Sequence, residues 1–262
     1  MAPDLTLTLE LSGVAVVAGF IDAIAGGGGL LTLPALLLAG LDPISALGTN
    51  KLQGSAGSLS ATFAFARRHL IDWRIGLRFV AAAGVASLLG ALSISLLPRN
   101  WLDALVPVLL LAFAGYFSLG RGIREGDGAA KMPTNLFAAS FIPLVGFYDG
   151  FFGPGAGTFY MIGITTLLGF GAVRATGYTK AANAASNVGS LLLFASKGVV
   201  IWPLGLAMAL GAFLGAQLGA RLAMRLGAKL IRPLLIVTSS LMALRLLSRD
   251  GGPLHALLAL VP

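Results

Sequence analysis

Two glycine-rich stretches of the chain have the composition of backbone anion sites. Each interrupts a hydrophobic run and is followed by a short hydrophobic segment. The first N–H groups of a helix are unpaired and carry the positive end of its dipole, and glycine adds no Cβ that would keep a ligand away. Two such helix starts near the middle of a membrane would bind an anion, although the glycines could instead serve close helix packing. The candidate positions are Gly26, Gly27, Gly28 and Gly29, and Gly153, Pro154, Gly155 and Gly157.

Two lysines within hydrophobic segments, Lys51 and Lys180, are candidates to contact the same anion. Amide side chains stand close to both in the sequence, and a cation with amide donors suits an oxyanion such as sulfite, a sulfonate or phosphate. Asn183 and Asn187 are four residues apart and therefore share a helix face. The alternative is that each lysine only extends its ammonium group to the membrane surface. The candidate amides are Asn50, Gln53, Asn183 and Asn187.

One aspartate precedes each glycine-rich stretch by four residues, because Asp22 stands before Gly26 and Asp149 before Gly153. A carboxylate within an apolar segment is costly, so each aspartate is a functional candidate. It could carry a proton that couples transport to the proton gradient, or bind the ion of a cation carrier. Alternatively, it caps N–H groups of the broken helix or pairs with a lysine. The sequence leaves these roles open.

The composition of the 262 residues is that of an integral membrane protein, since 57% are hydrophobic and only 11% are charged. The formal net charge of +8 comes mostly from short loops, which favours membrane topology over nucleic-acid binding. Neither histidine lies in a metal-binding pattern, and the sequence has no motif of a catalytic nucleophile or a phosphate-binding loop. We therefore expect no catalytic residue, no metal and no cofactor.

Five hydrophobic segments precede a polar connector, and a similar series follows it. A helix needs about 20 residues to cross the hydrocarbon core, so the second segment is too short to span alone. We predict a first transmembrane repeat over residues 1–120, a cytoplasmic connector over 121–133 and a second transmembrane repeat over 134–262. The segments of the first repeat cover residues 5–25, 30–40, 45–66, 73–97 and 101–120, and the short segment of the second covers 158–169.

The two repeats align with each other and differ in their charged loops. Asp149 follows Asp22 by 127 residues (149 − 22), and Lys180 follows Lys51 by 129 (180 − 51). Cytoplasmic loops carry excess lysine and arginine, and the basic loop of each repeat corresponds to a weakly charged loop of the other. The repeats should therefore lie upside down relative to each other, with both termini outside. The basic residues are Arg67, Arg68, Arg74 and Arg78 in the first repeat and Arg221, Arg225, Lys229 and Arg232 in the second.

The motif residues resemble those of the sulfite exporter TauE/SafE family. The resemblance rests on residues 19–29 (GFIDAIAGGGG), 49–51 (TNK) and 146–154 (GFYDGFFGP) and covers nearly the whole chain. Within the family, the chain is most similar to the YfcA-like membrane transporters. The resemblance implies transport of sulfite, sulfoacetate and related organosulfonates across the bacterial inner membrane. The family's motif positions carry over to Gly26, Gly27, Gly28, Gly29, Asn50, Lys51, Gly153, Gly155, Lys180, Asn183 and Asn187.

We therefore expect an all-α polytopic membrane protein with two inverted-topology repeats, broken helices at the glycine-rich motifs and a site between the repeats. It would transport small sulfur-containing anions by alternating access, with proton coupling through Asp22 or Asp149 as a hypothesis. The alternatives are a cation or metal carrier, a membrane-embedded enzyme and an assembly partner. The expected partners are a small anion and the lipid bilayer, without nucleic acid. A homo-oligomer stays open, because small-residue helix faces serve internal packing as well as dimers.

Overall fold

The computed structural model describes residues 4–96 and 126–227, which form α-helices joined by short turns. The helices of the first half are α1 (Leu5–Ala25), α2 (Gly29–Leu38), α3 (Pro43–Ala66) and α4 (Trp73–Ser95). Those of the second half are α5 (Thr134–Ala139), α6 (Phe141–Phe151), α7 (Ala156–Leu167), α8 (Ala172–Ser196) and α9 (Trp202–Leu226). The predicted segment 101–120, connector residues 121–125, and Lys229 and Arg232 lie outside the described residues.

The helix boundaries follow from local residue types. Gly26 ends α1 in the left-handed conformation (φ 82°), which glycine adopts without a steric penalty. Asp42 and Asp72 precede α3 and α4, and their carboxylates accept hydrogen bonds from Ser45 N (3.2 Å) and Arg74 N (2.9 Å). Such caps satisfy N–H groups that have no partner within the helix. The first four predicted segments are therefore helices whose ends lie close to the predicted ones.

The second half differs from the first at the counterpart of α1. Instead of one helix the chain forms α5 and α6, separated at Ser140 (φ −119°, ψ −66°). Pro143 has no N–H with which to continue the helical hydrogen-bond series across this point. Hydrophobicity does not reveal the interruption, since membrane helices also tolerate proline.

Three of the described helices, α1, α4 and α9, are long and apolar enough to cross a membrane. Helices α3 and α8 are equally long, with 24 and 25 residues, but they carry many polar side chains, most of which are buried within the protein. Helices α2 and α7 have 10 and 12 residues. At about 1.5 Å per residue, neither reaches across a hydrocarbon core of about 30 Å.

Helices α3 and α8 pack against each other in opposite directions. Gly48 of α3 contacts Phe194 of α8, and Gly54, further along α3, contacts Asn187, which comes earlier in α8. Contacts that advance along one helix and recede along the other define an antiparallel pair. The helices that carry Lys51 and Lys180 are therefore packed antiparallel to each other.

Each half packs its last described helix against helices of the other half. Helix α9 packs on α1 and α3, and α4 packs on α6 and α8. The contacts of α9 with α1, and of α4 with α6, advance along both helices, so these pairs are parallel. The contacts are Gly211 with Ser12, Gly215 with Val16, Gly146 with Ala83 and Gly150 with Ser87. Residues 4–96 and 134–227 therefore exchange helices instead of packing as separate units.

The described part of the connector is held against the turn between α7 and α8. Gly128 N donates to Gly169 O (2.7 Å), and the Asp127 carboxylate accepts hydrogen bonds from Gly171 N (2.6 Å) and the Arg174 guanidinium (2.9 Å). The hydrogen bond from Gly171 N, with the Arg174 charge adding to it, holds the pKa of the Asp127 carboxyl below its usual value. These contacts fix the connector to the start of α8.

We expect Gly215→Ala to destabilise the protein. An added Cβ would lie 2.0 Å from the Val16 carbonyl oxygen, so α1 and α9 would have to move apart. The loss should be about 1–3 kcal/mol, seen as a lower melting temperature of the purified protein in detergent. Gly13→Ala is the matched control, because a Cβ there has no atom within 4 Å. A Gly215→Ala variant as stable as the wild type would contradict this close contact.

Candidate functional site

Four charged side chains in the interior form two ion pairs. Lys51 Nζ of α3 lies 2.6 Å from Asp149 Oδ1 of α6, and Lys180 Nζ of α8 lies 2.9 Å from Asp22 Oδ2 of α1. Each lysine thus pairs with the aspartate of the other half. The lysine side chains are 1% and 0% exposed. The interpretation that they extend to the membrane surface is therefore wrong, and pairing of aspartate with lysine is confirmed.

Each ammonium group also binds the backbone near the end of a helix that stops at a glycine-rich stretch. Lys51 Nζ donates to the Asp149 carbonyl in the last turn of α6, and Lys180 Nζ donates to the Asp22 carbonyl in the last turn of α1. Carbonyls at this end of a helix carry the negative end of its dipole, and the Asp22 carbonyl also accepts the hydrogen bond of Gly26 N (2.8 Å). Each lysine therefore compensates both a carboxylate and a helix end inside the protein.

The two aspartates differ in their remaining contacts. The Asp149 side chain is 2% exposed, and its other oxygen accepts hydrogen bonds from Asn183 Nδ2 (3.0 Å) and Ser186 Oγ. The Asp22 side chain is 17% exposed, and its other oxygen accepts a hydrogen bond from Gly28 N (3.2 Å). Asp22 is thus the more accessible carboxylate, and it caps a backbone N–H as one sequence interpretation proposed.

Gly54 and Gly57 account for part of this difference. At the repeat offset of 129 they correspond to Asn183 and Ser186 (183 − 129 and 186 − 129), so the first half lacks the two side-chain donors that hold Asp149. Both glycines, together with Gly19, also line the central cavity, although none of the three was predicted. A position-by-position comparison of the repeats could have found Gly54 and Gly57, because they replace polar residues.

A cavity of about 30 Å³, called here the central cavity, lies beside the ion pairs. About 10–15 Å³ suffices for one water molecule, so this space holds at most a few. Of the predicted site residues, only Gly27, Pro154 and Lys180 do not line it. Those that do are Asp22, Gly26, Gly28, Gly29, Asn50, Lys51, Gln53, Asp149, Gly153, Gly155, Gly157, Asn183 and Asn187.

The two glycine-rich stretches touch each other at this cavity. The backbone of Gly26 contacts that of Gly157, and Thr158 Oγ1 donates to the Ala25 carbonyl (3.1 Å). The starts of α2 and α7 are therefore neighbours. Within residues 4–96 and 126–227, the N–H groups of Gly29 and Gly157 have no protein acceptor, and both residues line the cavity.

The amide side chains divide into those that are already bonded and those that are free. Asn183 donates to Asp149, and Asn187 Nδ2 donates to the Asn183 carbonyl (2.8 Å). Asn50 Oδ1 accepts a hydrogen bond from Thr32 Oγ1, which leaves its Nδ2 as a donor. Gln53 is 3% exposed, lines the cavity and forms no hydrogen bond with the described residues. Since two lysines and two aspartates cancel in formal charge, the central cavity is a neutral space with free hydrogen-bond donors.

Comparison with known proteins agrees with the motif resemblance. The profile of the family described as "Sulfite exporter TauE/SafE" matches residues 11–246. The chain belongs to the sulfite exporter TauE/SafE family.

The curated proteins that are similar to this chain are named as membrane transporters. The chain is 47% identical over 241 residues to "Probable membrane transporter protein ORF9" of Sinorhizobium sp, with 92% of each chain covered. It is 46% identical over 239 residues to "Probable membrane transporter protein YfcA" of Escherichia coli K12, covering 91% of this chain and 89% of the relative. It is 40% identical over 238 residues to a "Probable membrane transporter protein" of Haemophilus influenzae, covering 91% and 93%. No solved structure matches the chain at a significant level. The chain is thus a membrane transporter of the TauE/SafE type.

We expect Lys51→Met to destabilise this TauE/SafE member by about 3–5 kcal/mol, because it leaves the buried Asp149 carboxylate unpaired. Adding Asp149→Asn removes that charge, so the double variant should regain much of the loss. Arg174→Met is the control, since its partner Asp127 is 55% exposed and such a pair contributes less than about 1 kcal/mol. Unfolding in detergent is measured for the wild type, the two single variants, the double variant and the Arg174→Met control. Strictly additive losses for Lys51→Met and Asp149→Asn would contradict the coupled pair.

Proposed function

We propose that the protein is a secondary transporter of small sulfur-containing anions, such as sulfite, sulfoacetate and other organosulfonates. The observation that carries this proposal is the set of free donors around the central cavity, namely Gly29 N, Gly157 N and the amide of Gln53. The two backbone donors stand at helix starts, where the dipoles favour negative charge. The family's description as sulfite exporters supplies the substrate class.

The paired aspartates favour an anion over a cation as the substrate. Asp22 and Asp149 are both neutralised by lysines at 2.9 and 2.6 Å. A cation carrier that used these carboxylates would have to separate them from their lysines and leave an ammonium group buried without a partner. An anion needs only the donors that already face the cavity.

Alternating access between two inverted repeats is the proposed mechanism, in a multi-pass protein of the bacterial inner membrane. Three packing observations support it: α3 and α8 are equivalent by the repeat offset and run antiparallel, and α4 and α9 each pack in parallel on helices of the other half. The glycine-rich stretches serve as the broken helices between which the anion binds.

In this mechanism Asp22, not Asp149, carries the coupling proton. Asp22 is the more exposed of the two, and it lacks the side-chain donors that hold Asp149. Its carboxylate lines the cavity and repels an anion. A proton on Asp22 leaves the Lys180 ammonium without its partner, and an anion in the cavity balances that positive charge. A proton on Asp22 and an anion in the cavity therefore favour each other, and this coupling is reciprocal.

We expect purified protein in proteoliposomes to move labelled sulfite or sulfoacetate selectively over phosphate, with saturation, and faster under an imposed pH gradient. Protein-free liposomes are the control for leakage. A chemical product without net movement of substrate would favour a membrane-embedded enzyme. Folded protein that moves no sulfur anion would contradict the proposed substrate class.

We expect Asp22→Asn to transport the anion without responding to the pH gradient, because the amide mimics the protonated carboxyl and cannot release a proton. Asp42→Asn is the matched control. It makes the same chemical change at the N-cap of α3, where asparagine and aspartate are equally good caps. Its transport should respond to the pH gradient as that of the wild type does. The flux of each variant is measured with and without the gradient. A wild-type pH response in Asp22→Asn would assign the proton to another group.

A further inference from the structure

A second cavity, of about 890 Å³, opens at one end of the helix bundle. It lies between the end of α3, the end of α9 and the start of α8. Four arginines line it: Arg67 and Arg68 after α3, and Arg221 and Arg225 in the last turns of α9. We call this space the arginine vestibule. The transport mechanism described above makes no use of it.

Within the described residues, no carboxylate balances the positive charges of these four guanidinium groups. Arg67 lies over the ring of Phe63 at 5.4 Å from its centre, a contact that does not neutralise the charge. Arg174, in contrast, is paired with Asp127. Four like charges around one concave space create a field that attracts anions.

The repeat indicates that packing alone does not require Arg221 and Arg225. At the offset of 129, a stripe of α9 corresponds to two leucines of α4 and the leucine that follows it, which are 39%, 40% and 72% exposed, as lipid-facing side chains are. The excess of positive charge at a cytoplasmic end accounts for arginine near the loops, but not for a glutamine deeper in the same stripe. The corresponding pairs are Leu88 with Gln217, Leu92 with Arg221 and Leu96 with Arg225 (217 − 129, 221 − 129 and 225 − 129).

A hydrogen-bonded contact lies between the arginine vestibule and the central cavity. Gly57 lines the central cavity and Ala64 lines the vestibule, which places them about 10 Å apart along α3. Between them, Gln217 Nε2 donates to the Ser60 carbonyl (2.9 Å) and to Ser60 Oγ (3.0 Å). The Gln217–Ser60 contact therefore lies between the two cavities along α3.

We infer that the arginine vestibule binds a small oxyanion, such as sulfate, sulfite or a phosphate group. Guanidinium groups bind such oxyanions through paired N–H donors. Since the charges around the central cavity cancel, the vestibule supplies the positive field that concentrates anions. Its role as the entrance for the transported anion rests on the proposed function, whereas its binding of an oxyanion does not. The occupant is a free ion or the headgroup of an anionic lipid, which offer the same chemistry.

The test measures the binding of labelled sulfate to the full chain in phosphatidylcholine nanodiscs by equilibrium dialysis. We expect saturable binding that weakens as salt is raised, and about tenfold weaker binding in Arg221→Gln/Arg225→Gln. The matched control is Arg74→Gln/Arg78→Gln, which removes the same charge at the same end of the bundle from residues that do not line the vestibule. It should bind sulfate as the wild type does.

Lipid composition distinguishes the two sources of the oxyanion. Sulfate binding that is kept in phosphatidylglycerol nanodiscs assigns the vestibule to a free ion, and binding that is lost there assigns it to the lipid headgroup. If the double variant does not fold, Arg221→Gln is compared with Arg74→Gln instead. Equal sulfate affinity in the vestibule and control variants would overturn the inference. Arginine-dependent binding without flux of any sulfur anion would reject only the transport proposal.

Discussion

Two buried ammonium groups, one buried carboxylate and one half-buried carboxylate lie inside this membrane protein, and each requires a partner that the other half of the chain supplies. An unpaired charge in such surroundings costs several kcal/mol. Lys51 reaches Asp149 and Lys180 reaches Asp22, so neither half neutralises its own charges. The crossed pairs therefore fix how the halves fit together. Because each lysine also binds the last turn of a helix, the same pairs hold the ends of α1 and α6 beside the central cavity.

Close backbone contact is what allows these pairs to form. Gly26 lies against Gly157 where the two glycine-rich stretches meet, and Gly150 lies against the Ser87 carbonyl on the flank of α4. A side chain at any of these positions would push helices apart. The same stretches leave N–H groups beside the cavity, and the helices that end at them, α1 and α6, present carbonyls to the lysines. Tight packing and a polar site, which the sequence presents as alternatives, are therefore two results of one arrangement.

Much of the fold could be predicted because it depends on local pattern. The ends of α1 to α4 follow from hydrophobic length, glycine and aspartate caps, and the family follows from the motifs around Asp22 and Lys51. Which lysine meets which aspartate could not be predicted, since it depends on contacts between residues more than 90 positions apart, 98 for Lys51 with Asp149. For the same reason Asn183 was expected to face an anion, although it donates to Asp149. The break at Ser140 stayed hidden because proline is common in membrane helices.

Transport by alternating access requires that the central cavity open to each side of the membrane in turn. The chain has no cysteine, so Gly57→Cys would supply its only thiol. Gly57 lines the central cavity, and its Cβ would lie at an ordinary 3.4 Å from Ala212 Cβ. The decisive measurement is the rate at which a membrane-impermeant thiol reagent modifies this cysteine from each side, with and without sulfoacetate. Alternating access predicts modification from both sides, with rates that the anion changes. Modification from one side only, at a rate that the anion does not alter, would contradict it.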